Sequence, residues 1–201
     1  MNNDPAAVAS QVESRPSVET AARVGPSKGF VVWLTGLSGA GKSTLARSIE
    51  EPLLQAGMRV EVLDGDQVRQ NLSRGLGFSR EDRDINIRRI GYVARLLARN
   101  DVAVIVAAIS PYREVRDEIR ASVKDFVEVY VKCSVEELIR RDTKGLYEKA
   151  LRGEIKNFTG VSDPYEPPID PEVTVDTELE SLDAGAARVI TVLKQQGLLK
   201  K

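Results

Sequence analysis

The sequence predicts an α/β protein with a five-stranded parallel sheet and helices on both faces. Three observations carry that expectation. Short β-rich runs alternate with longer stretches of helical periodicity between residues 30 and 196. Two of the runs, FVVWLT at Phe30–Thr35 and VAVIVAA at Val102–Ala108, are apolar almost throughout, as strands covered on both faces are. A glycine-rich turn lies between the first run and a helical pattern, which places a tight loop at the carboxyl end of a strand, where ligands of such sheets bind.

Taken in order, residues 1–27 are rich in Ala, Ser, Val and Pro, with no aromatic residue before Phe30. They lack the basic start and apolar middle of a secretory signal and read as a flexible N-terminal extension, with a short partner-binding segment as the alternative. The domain then occupies residues 28–201. Strands are expected at Phe30–Thr35, Val60–Leu63, Val102–Ala108 and Val127–Val131, with Val173–Val175 a weaker fifth. Helices are expected at Lys42–Ala56, Arg80–Arg99, Glu114–Val123, Val135–Arg141 and Leu182–Gln196. Two segments resist the scheme: residues 71–80, rich in Gly, Ser and Arg, and residues 152–171, with four prolines among polar residues.

Composition narrows the chemistry. With 42% hydrophobic residues among 201, the chain can bury a substantial core. Lys and Arg total 29 against 30 Asp and Glu, a net charge of −1 that argues against a general nucleic-acid binder. Histidine is absent, which removes Ser-His-Asp triads, Cys-His pairs and histidine metal sites. The single cysteine, Cys133, rules out an intramolecular disulfide. No apolar run approaches the roughly 20 residues that cross a bilayer. Together with the lone thiol, this leads to an expected cytoplasmic location and no membrane partner.

The strongest local signal is Gly36-Leu37-Ser38-Gly39-Ala40-Gly41-Lys42-Ser43-Thr44, which matches G-x-x-x-x-G-K-[ST] and adds a third glycine. A phosphate chain wrapped by backbone N–H groups needs a backbone that bends as glycine can. The loop opens a helix whose free N–H groups and dipole favour negative charge. Lys42 can reach the outer phosphates and the Ser43 hydroxyl can ligate magnesium. Chance produces such a match on the order of once per hundred chains of this length. A P-loop NTPase-type sheet binding a nucleoside triphosphate follows.

A small-molecule kinase fits better than a GTPase switch or a motor. The guanine-specifying N-K-x-D is missing, and Asp142-Thr143-Lys144-Gly145 matches D-x-x-G after a helical stretch, not at a strand end. VAVIVAA runs into Ile109-Ser110-Pro111 with no acid to hold magnesium. The acids follow the second strand instead, in Leu63-Asp64-Gly65-Asp66, on the same sheet edge as the phosphate loop. A carboxylate there can orient or deprotonate an acceptor hydroxyl, or hold magnesium. D-G-D is also ordinary turn chemistry, and the neighbouring phosphate loop favours the functional role.

Five blocks, in order, resemble the adenylylsulfate kinase (APS kinase) family. They are GLSGAGKST, LDGDQVRQNL, LGFSREDRDINIRRIGYVARLL, ISPYREVRDEIR and RDTKGLYEKALRGEIKNFTGVSDPYEPP. The similarity runs from about Lys28 to about Leu193, and the last three blocks are not general P-loop features. It implies an enzyme that transfers the γ-phosphoryl group of Mg-ATP to the ribose 3′-hydroxyl of adenosine 5′-phosphosulfate, giving 3′-phosphoadenosine 5′-phosphosulfate and ADP. It also implies a homodimer. The family is often fused to ATP sulfurylase or to a GTPase subunit; 201 residues leave no room for either, so a free-standing enzyme is expected.

The resemblance further implies roles for individual residues. Asp64 would be the catalytic carboxylate and share magnesium with Ser43. Lys42 would neutralise charge on the transferred group. Gly36 to Thr44 and Arg140 would bind ATP, with Arg140 over its base. Asp66, Arg69, Arg83, Asn86, Ile109, Ser110, Lys144 and Asn157 would contact the acceptor, and Phe78 and Phe158 would sandwich its adenine. Arginine forks suit the phosphate–sulfate tail and aromatic rings suit a nucleobase. Arg83 and Asn86, three apart on a helix, present to one side. The two phenylalanines could also form a local hydrophobic plug, and Arg95 and Arg99 suit a solvated helix face. Ser110 either carries a phosphoryl group transiently or positions the acceptor by hydrogen bonding. Direct transfer is expected, because without histidine no strong base is evident to activate a serine. A serine capping the turn before Pro111 is compatible with both. A mobile lid is expected at about 140–168, with Lys144, Lys149, Arg152 and Lys156 giving it positive charge. Gly145, Gly153 and Gly160 would let it close. Gln67 and Asn157 depart from the family's usual Asn and Gly, which touches only fine geometry.

Overall fold

Side-chain alternation along the central strand decides which helices cover which face. The computed structural model describes residues 28–200, so the expected extension at 1–27 lies outside the described residues. Its elements run β1 (Phe30–Thr35), α1 (Lys42–Gln55), β2 (Arg59–Asp64), α2 (Gly65–Asn71), α3 (Arg80–Ala98) and β3 (Val102–Ala107). They continue with α4 (Arg113–Ser122), β4 (Phe126–Lys132), α5 (Val135–Arg141), α6 (Leu146–Leu151), β5 (Val173–Asp176) and α7 (Leu182–Gln195). The five strands form one sheet in the order β2-β3-β1-β4-β5, every pair parallel.

Phe30, Val32 and Leu34 point to one face, joined by Ile105 and Val129, and pack on Leu45, Ile49 and Leu53 of α1 and Val189 and Leu193 of α7. Val31 and Trp33 point the other way, with Val104, Val106 and Phe126, onto Ile87, Ile90 and Ala94 of α3 and Val115 and Ile119 of α4. A period of two in the strands meeting periodic apolar stripes in the helices gives the three layers. Each fully buried aliphatic or aromatic side chain contributes on the order of 1.5–3 kcal/mol of transfer free energy. Gly91 lets α3 and α4 approach closely, since a Cβ there would stand 2.7 Å from Ile119 Cγ1.

The ten expected elements are all present, with no end moved by more than one residue. Two helices were not expected. Asp64 is the N-cap of α2, its Oδ1 accepting from the Asp66 amide at 2.9 Å, so the D-G-D stretch starts a helix. In α6 the Asp142 carboxylate accepts from the amides of Leu146, Tyr147 and Glu148 at 2.9–3.0 Å. Only Tyr147 and Ala150 of that helix are buried, too few to show a stripe. Between α6 and β5 the chain is irregular, apart from an isolated bridge between Thr159 and Asp163.

Charged groups stitch the sheet edge below β4. Arg120 donates to both Glu172 oxygens at 2.5 and 2.8 Å and to Glu128, and Glu172 also accepts from the Glu128 amide at 2.6 Å. Burial alone would raise the Glu172 pKa, but these donors outweigh it and hold the carboxyl below its usual range. Hydrogen bonds from Arg140 and Arg141 hold Glu137 down to about 2, the Glu148 amide leads in lowering Asp142, and Lys132 lowers Asp176. Asp84 runs the other way, raised by burial.

The sign follows from linkage. A carboxyl whose folded pKa is depressed lends stability that is complete above its unfolded value and vanishes as pH falls through the folded one. The melting temperature is therefore expected to stay level from pH 7 to about 5 and to fall steadily toward pH 2. In calorimetry, Glu172→Gln should lower the neutral melting temperature and flatten part of that acid limb.

Candidate active site

The site begins where β1 ends. Gly36, Gly39 and Gly41 have φ of 147°, 78° and 101°, and a Cβ on Gly36 would sit 2.3 Å from the Val131 carbonyl oxygen. These conformations let the loop turn back on itself before α1 starts at Lys42. Lys42 Nζ donates to the carbonyls of Gly36 at 2.9 Å and Leu37 at 2.7 Å. Burial of that ammonium, aided by the charge of Lys144, pulls its pKa down to about 8. Leu37 packs beneath Gly160, where a Cβ would come within 2.9 Å of its Cδ2, and the Tyr147 hydroxyl donates to the Ser38 carbonyl at 2.9 Å. Gly39 borders a small cleft with Asp142, Thr143 and Lys144.

Across the sheet, Ser43 Oγ donates to Asp64 Oδ2 at 2.6 Å. The capping bond from the Asp66 amide fixes the other Asp64 oxygen. Asp66 in turn pairs with Lys144 at 2.8 Å, linking α2 to the α5–α6 turn, with both side chains largely exposed. Two hard oxygen donors beside a phosphate loop match the preference of magnesium, which takes one or two protein oxygens along with phosphate oxygens and waters.

The second cluster surrounds Phe78, which is 57% exposed ahead of α3. Arg69 donates to the Gly77 carbonyl at 2.9 Å and lies over the Phe78 ring at 4.4 Å; Arg83 stands 5.7 Å from the same centroid. Burial and the neighbouring Arg83 charge lower the Arg69 pKa. Arg83 is buried. It donates to the carbonyls of Phe78 (3.0 Å) and Asn157 and to Thr159 Oγ1 (2.8 Å), with Asp163 at 3.8 Å. One guanidinium thus joins the two loops that carry Phe78 and Phe158. Asn157 has φ of 54°, which asparagine tolerates. Phe158 is half-buried, edge-on to Tyr147 at 5.0 Å. Asn86 is buried, and its Oδ1 has no hydrogen-bond partner among the described residues.

The third cluster lies at the end of β3. Ser110, 1% exposed and at φ 42°, accepts from Trp33 Nε1 at 3.0 Å, and its hydroxyl lies 3.1 Å from Thr35 Oγ1. Thr35 donates to the Ile109 carbonyl at 2.8 Å and meets the Tyr165 hydroxyl at 3.0 Å. The Trp33 indole N–H, the Thr35 hydroxyl and the Ala108 carbonyl surround Ser110 Oγ, and among the described residues no carboxylate or amine hydrogen-bonds to it. Arg140 stands apart, paired with both Glu137 oxygens at 2.7 Å, its side chain 75% exposed.

The sequence reading missed Thr35, Tyr147, Tyr165 and Arg116, which tie these loops together. Arg116 carried a signal: it falls on the apolar stripe of α4 between Val115 and Ile119, where a charge needs a partner.

The family model described as adenylylsulphate kinase matches residues 28–176. The chain is 55% identical over 174 residues to the adenylyl-sulfate kinase of Rippkaea orientalis, covering 87% of this chain and 96% of that one. It superposes on the Mycobacterium tuberculosis APS kinase in complex with AMPPNP and APS with a TM-score of 0.80, at 44% identity, covering 84% of this chain and 99% of that one. A hexameric APS kinase from Thiobacillus denitrificans is also similar, with a TM-score of 0.67 and 38% identity, covering 87% of this chain and 30% of that one.

A polyphosphate at the loop should return the Lys42 pKa toward its usual value, so nucleotide binding near pH 8 should take up a proton. Calorimetric titration with a non-hydrolysable Mg-nucleotide in buffers of different ionisation heat should show that uptake, and Lys42→Met should abolish it. The same variant should lose about 10²–10³ in turnover. The match of the family model over residues 28–176, the similarity to whole adenylyl-sulfate kinases and the phosphate loop beside Asp64 lead to one conclusion: the chain belongs to the adenylylsulphate kinase family.

Proposed function

We propose that this protein phosphorylates the ribose 3′-hydroxyl of adenosine 5′-phosphosulfate with Mg-ATP, releasing 3′-phosphoadenosine 5′-phosphosulfate and ADP. The observation that carries this reading is the bond between Ser43 and Asp64, which sets a carboxylate directly beside the phosphate loop. Ser43 and Asp64 are the oxygens that would hold magnesium, and the bound ion supplies neutralisation of charge on the phosphate oxygens.

The 3′-oxygen attacks the γ-phosphorus as the bond to the β–γ bridging oxygen breaks and ADP leaves. Asp64 orients the hydroxyl and accepts its proton, its carboxylate already held by the Asp66 amide. Lys42 exchanges its two carbonyl partners for phosphate oxygens and balances the charge on the transferred group. Phe78, with an exposed ring, takes the acceptor's adenine against Phe158, and Arg69 draws in the anionic tail. Arg83 holds the two phenylalanine loops at a fixed separation and adds positive charge, while Asn86 supplies a buried amide acceptor. Ser110 positions the acceptor by hydrogen bonding and takes no phosphoryl group, since its hydroxyl partners among the described residues are an indole, a hydroxyl and a carbonyl, with no base to remove its proton.

Residues 140–168 act as the lid. Three contacts would close it: Tyr147 on Ser38, Gly160 on Leu37, and Lys144 on Asp66. A lid there excludes water, which competes with the sugar hydroxyl. Arg140, exposed at the root of the lid, would exchange its Glu137 pairing for a place over the ATP base. No helix among the described residues is long and apolar enough to cross a membrane, and the lone thiol Cys133 suits the cytoplasm. A homodimer completes the reading, supported by the self-association of the hexameric relative.

Coupled ADP release should be fast with adenosine 5′-phosphosulfate and near background with AMP, gluconate or shikimate; equal rates across the four would contradict the assigned acceptor. Asp64→Asn should lose about 10²–10⁴ in kcat. Phe78→Ala should raise the acceptor KM by about tenfold, the equivalent of one lost stacking contact, with the ATP KM unchanged.

A further inference from the structure

We propose that Arg116 is a positioning residue for the acceptor: it holds the Ser110 turn and the C-terminal root of the lid, at Tyr165–Glu166, in one fixed arrangement. This rests on the reading of the function above. The side chain is 1% exposed on the apolar face of α4. Its Nε donates to Glu128 Oε1 at 2.9 Å, Nη1 to the Ser110 carbonyl at 2.6 Å and Nη2 to the Glu166 carbonyl at 2.7 Å. Its guanidinium also lies 5.9 Å from the centroid of the Tyr165 ring.

A buried ion pair is weak support for stability, since an apolar pair of similar volume usually serves a core as well. A planar fork has another use: it fixes three acceptors from three segments at once. Here the segments are β4, the β3–α4 turn and the end of the lid. Two of them meet again on the far side, because the Tyr165 hydroxyl reaches Thr35 Oγ1 and Thr35 Oγ1 lies against Ser110 Oγ. The circuit Arg116–Ser110–Thr35–Tyr165–Glu166 therefore closes on itself. The Glu166 amide donates to the Pro111 carbonyl and the Glu166 carboxylate accepts from the Arg113 amide, both at 2.8 Å, which fastens the same two strips of chain.

Ser110 itself sits at φ 42°, a left-handed conformation that a serine keeps only when its surroundings impose it. Arg116 grips its carbonyl and Trp33 its hydroxyl. Releasing the carbonyl lets the turn relax and the lid root drift, on the acceptor side of the site. The phosphate loop, anchored by Lys42, is untouched. Acceptor binding and exclusion of water should suffer while ATP binding does not.

The test compares wild type, Arg116→Lys and the double variant Arg116→Met with Glu128→Leu. It records KM for each substrate, kcat, the ratio of ADP to phosphorylated product, and the melting temperature. The expected result is a rise of about tenfold to a hundredfold in the acceptor KM and an unchanged ATP KM. ADP should exceed product, and the double variant, which leaves the Ser110 and Glu166 carbonyls without their donor, should melt below wild type while still unfolding cooperatively. Unchanged acceptor KM and coupling in either folded variant would overturn the inference. So would a parallel fall in all activities with coupling intact, which marks a merely structural role. If the double variant does not fold, Arg116→Lys decides on the same readouts, since it keeps the charge beside Glu128 and loses the fork. A wild type inactive on adenosine 5′-phosphosulfate would overturn the functional reading, whereas an active wild type with unaltered variants overturns this inference alone.

Discussion

Parallel register across β2, β3 and β1 is the constraint on which the site depends. Asp64 lies opposite Ala107, and Ala107 lies opposite Leu34. With strands about 4.8 Å apart, the carboxylate, the Ser110 turn and the phosphate loop all leave the sheet within about 10 Å of one another. Thr35, the last residue of β1, faces Tyr130 on β4 and touches Ile109, Ser110 and Tyr165. No loop has to search for its partner, because the apolar strands that fix the register are the most deeply buried part of the molecule.

On that frame the charges of the site are held in pairs that a substrate can exchange. Lys42 rests on two carbonyls, Asp64 on a hydroxyl and an amide, and Asp66 on Lys144. None of these contacts is a deeply buried ion pair, so replacing them with phosphate oxygens or an acceptor hydroxyl requires little rearrangement. The deeply buried charges behave differently. Arg83 and Arg116 are committed to backbone carbonyls from distant segments, and their work is to hold loops. Two arginines with the same chemistry as Arg69 thereby differ from it in exposure and in task.

The sheet, the phosphate loop and the placement of Asp64 were legible because each is written locally, in continuous apolar strands, in glycines at bending positions and in an acid following a strand. The short helices α2 and α6 were not. One begins in D-G-D, which also spells a turn, and the other buries only Tyr147 and Ala150. The strand order was equally hidden, since helical crossovers look alike whichever neighbour they lead to. The clamp made by Arg83 joins residues 74 to 76 positions apart, a distance that no local pattern reports. The same holds for Arg116, whose grip on Glu166 spans 50 positions, although its place on an apolar stripe marked it as a charge in need of a partner.

The central claim is geometric, and a crystal structure with adenosine 5′-phosphosulfate, a non-hydrolysable ATP analogue and magnesium tests it most directly. The account places the ribose 3′-hydroxyl within hydrogen-bond reach of Asp64 and in line with the terminal phosphate, with the adenine between Phe78 and Phe158. A sulfonucleotide seated away from both rings, with its 3′-hydroxyl out of reach of Asp64, would contradict it.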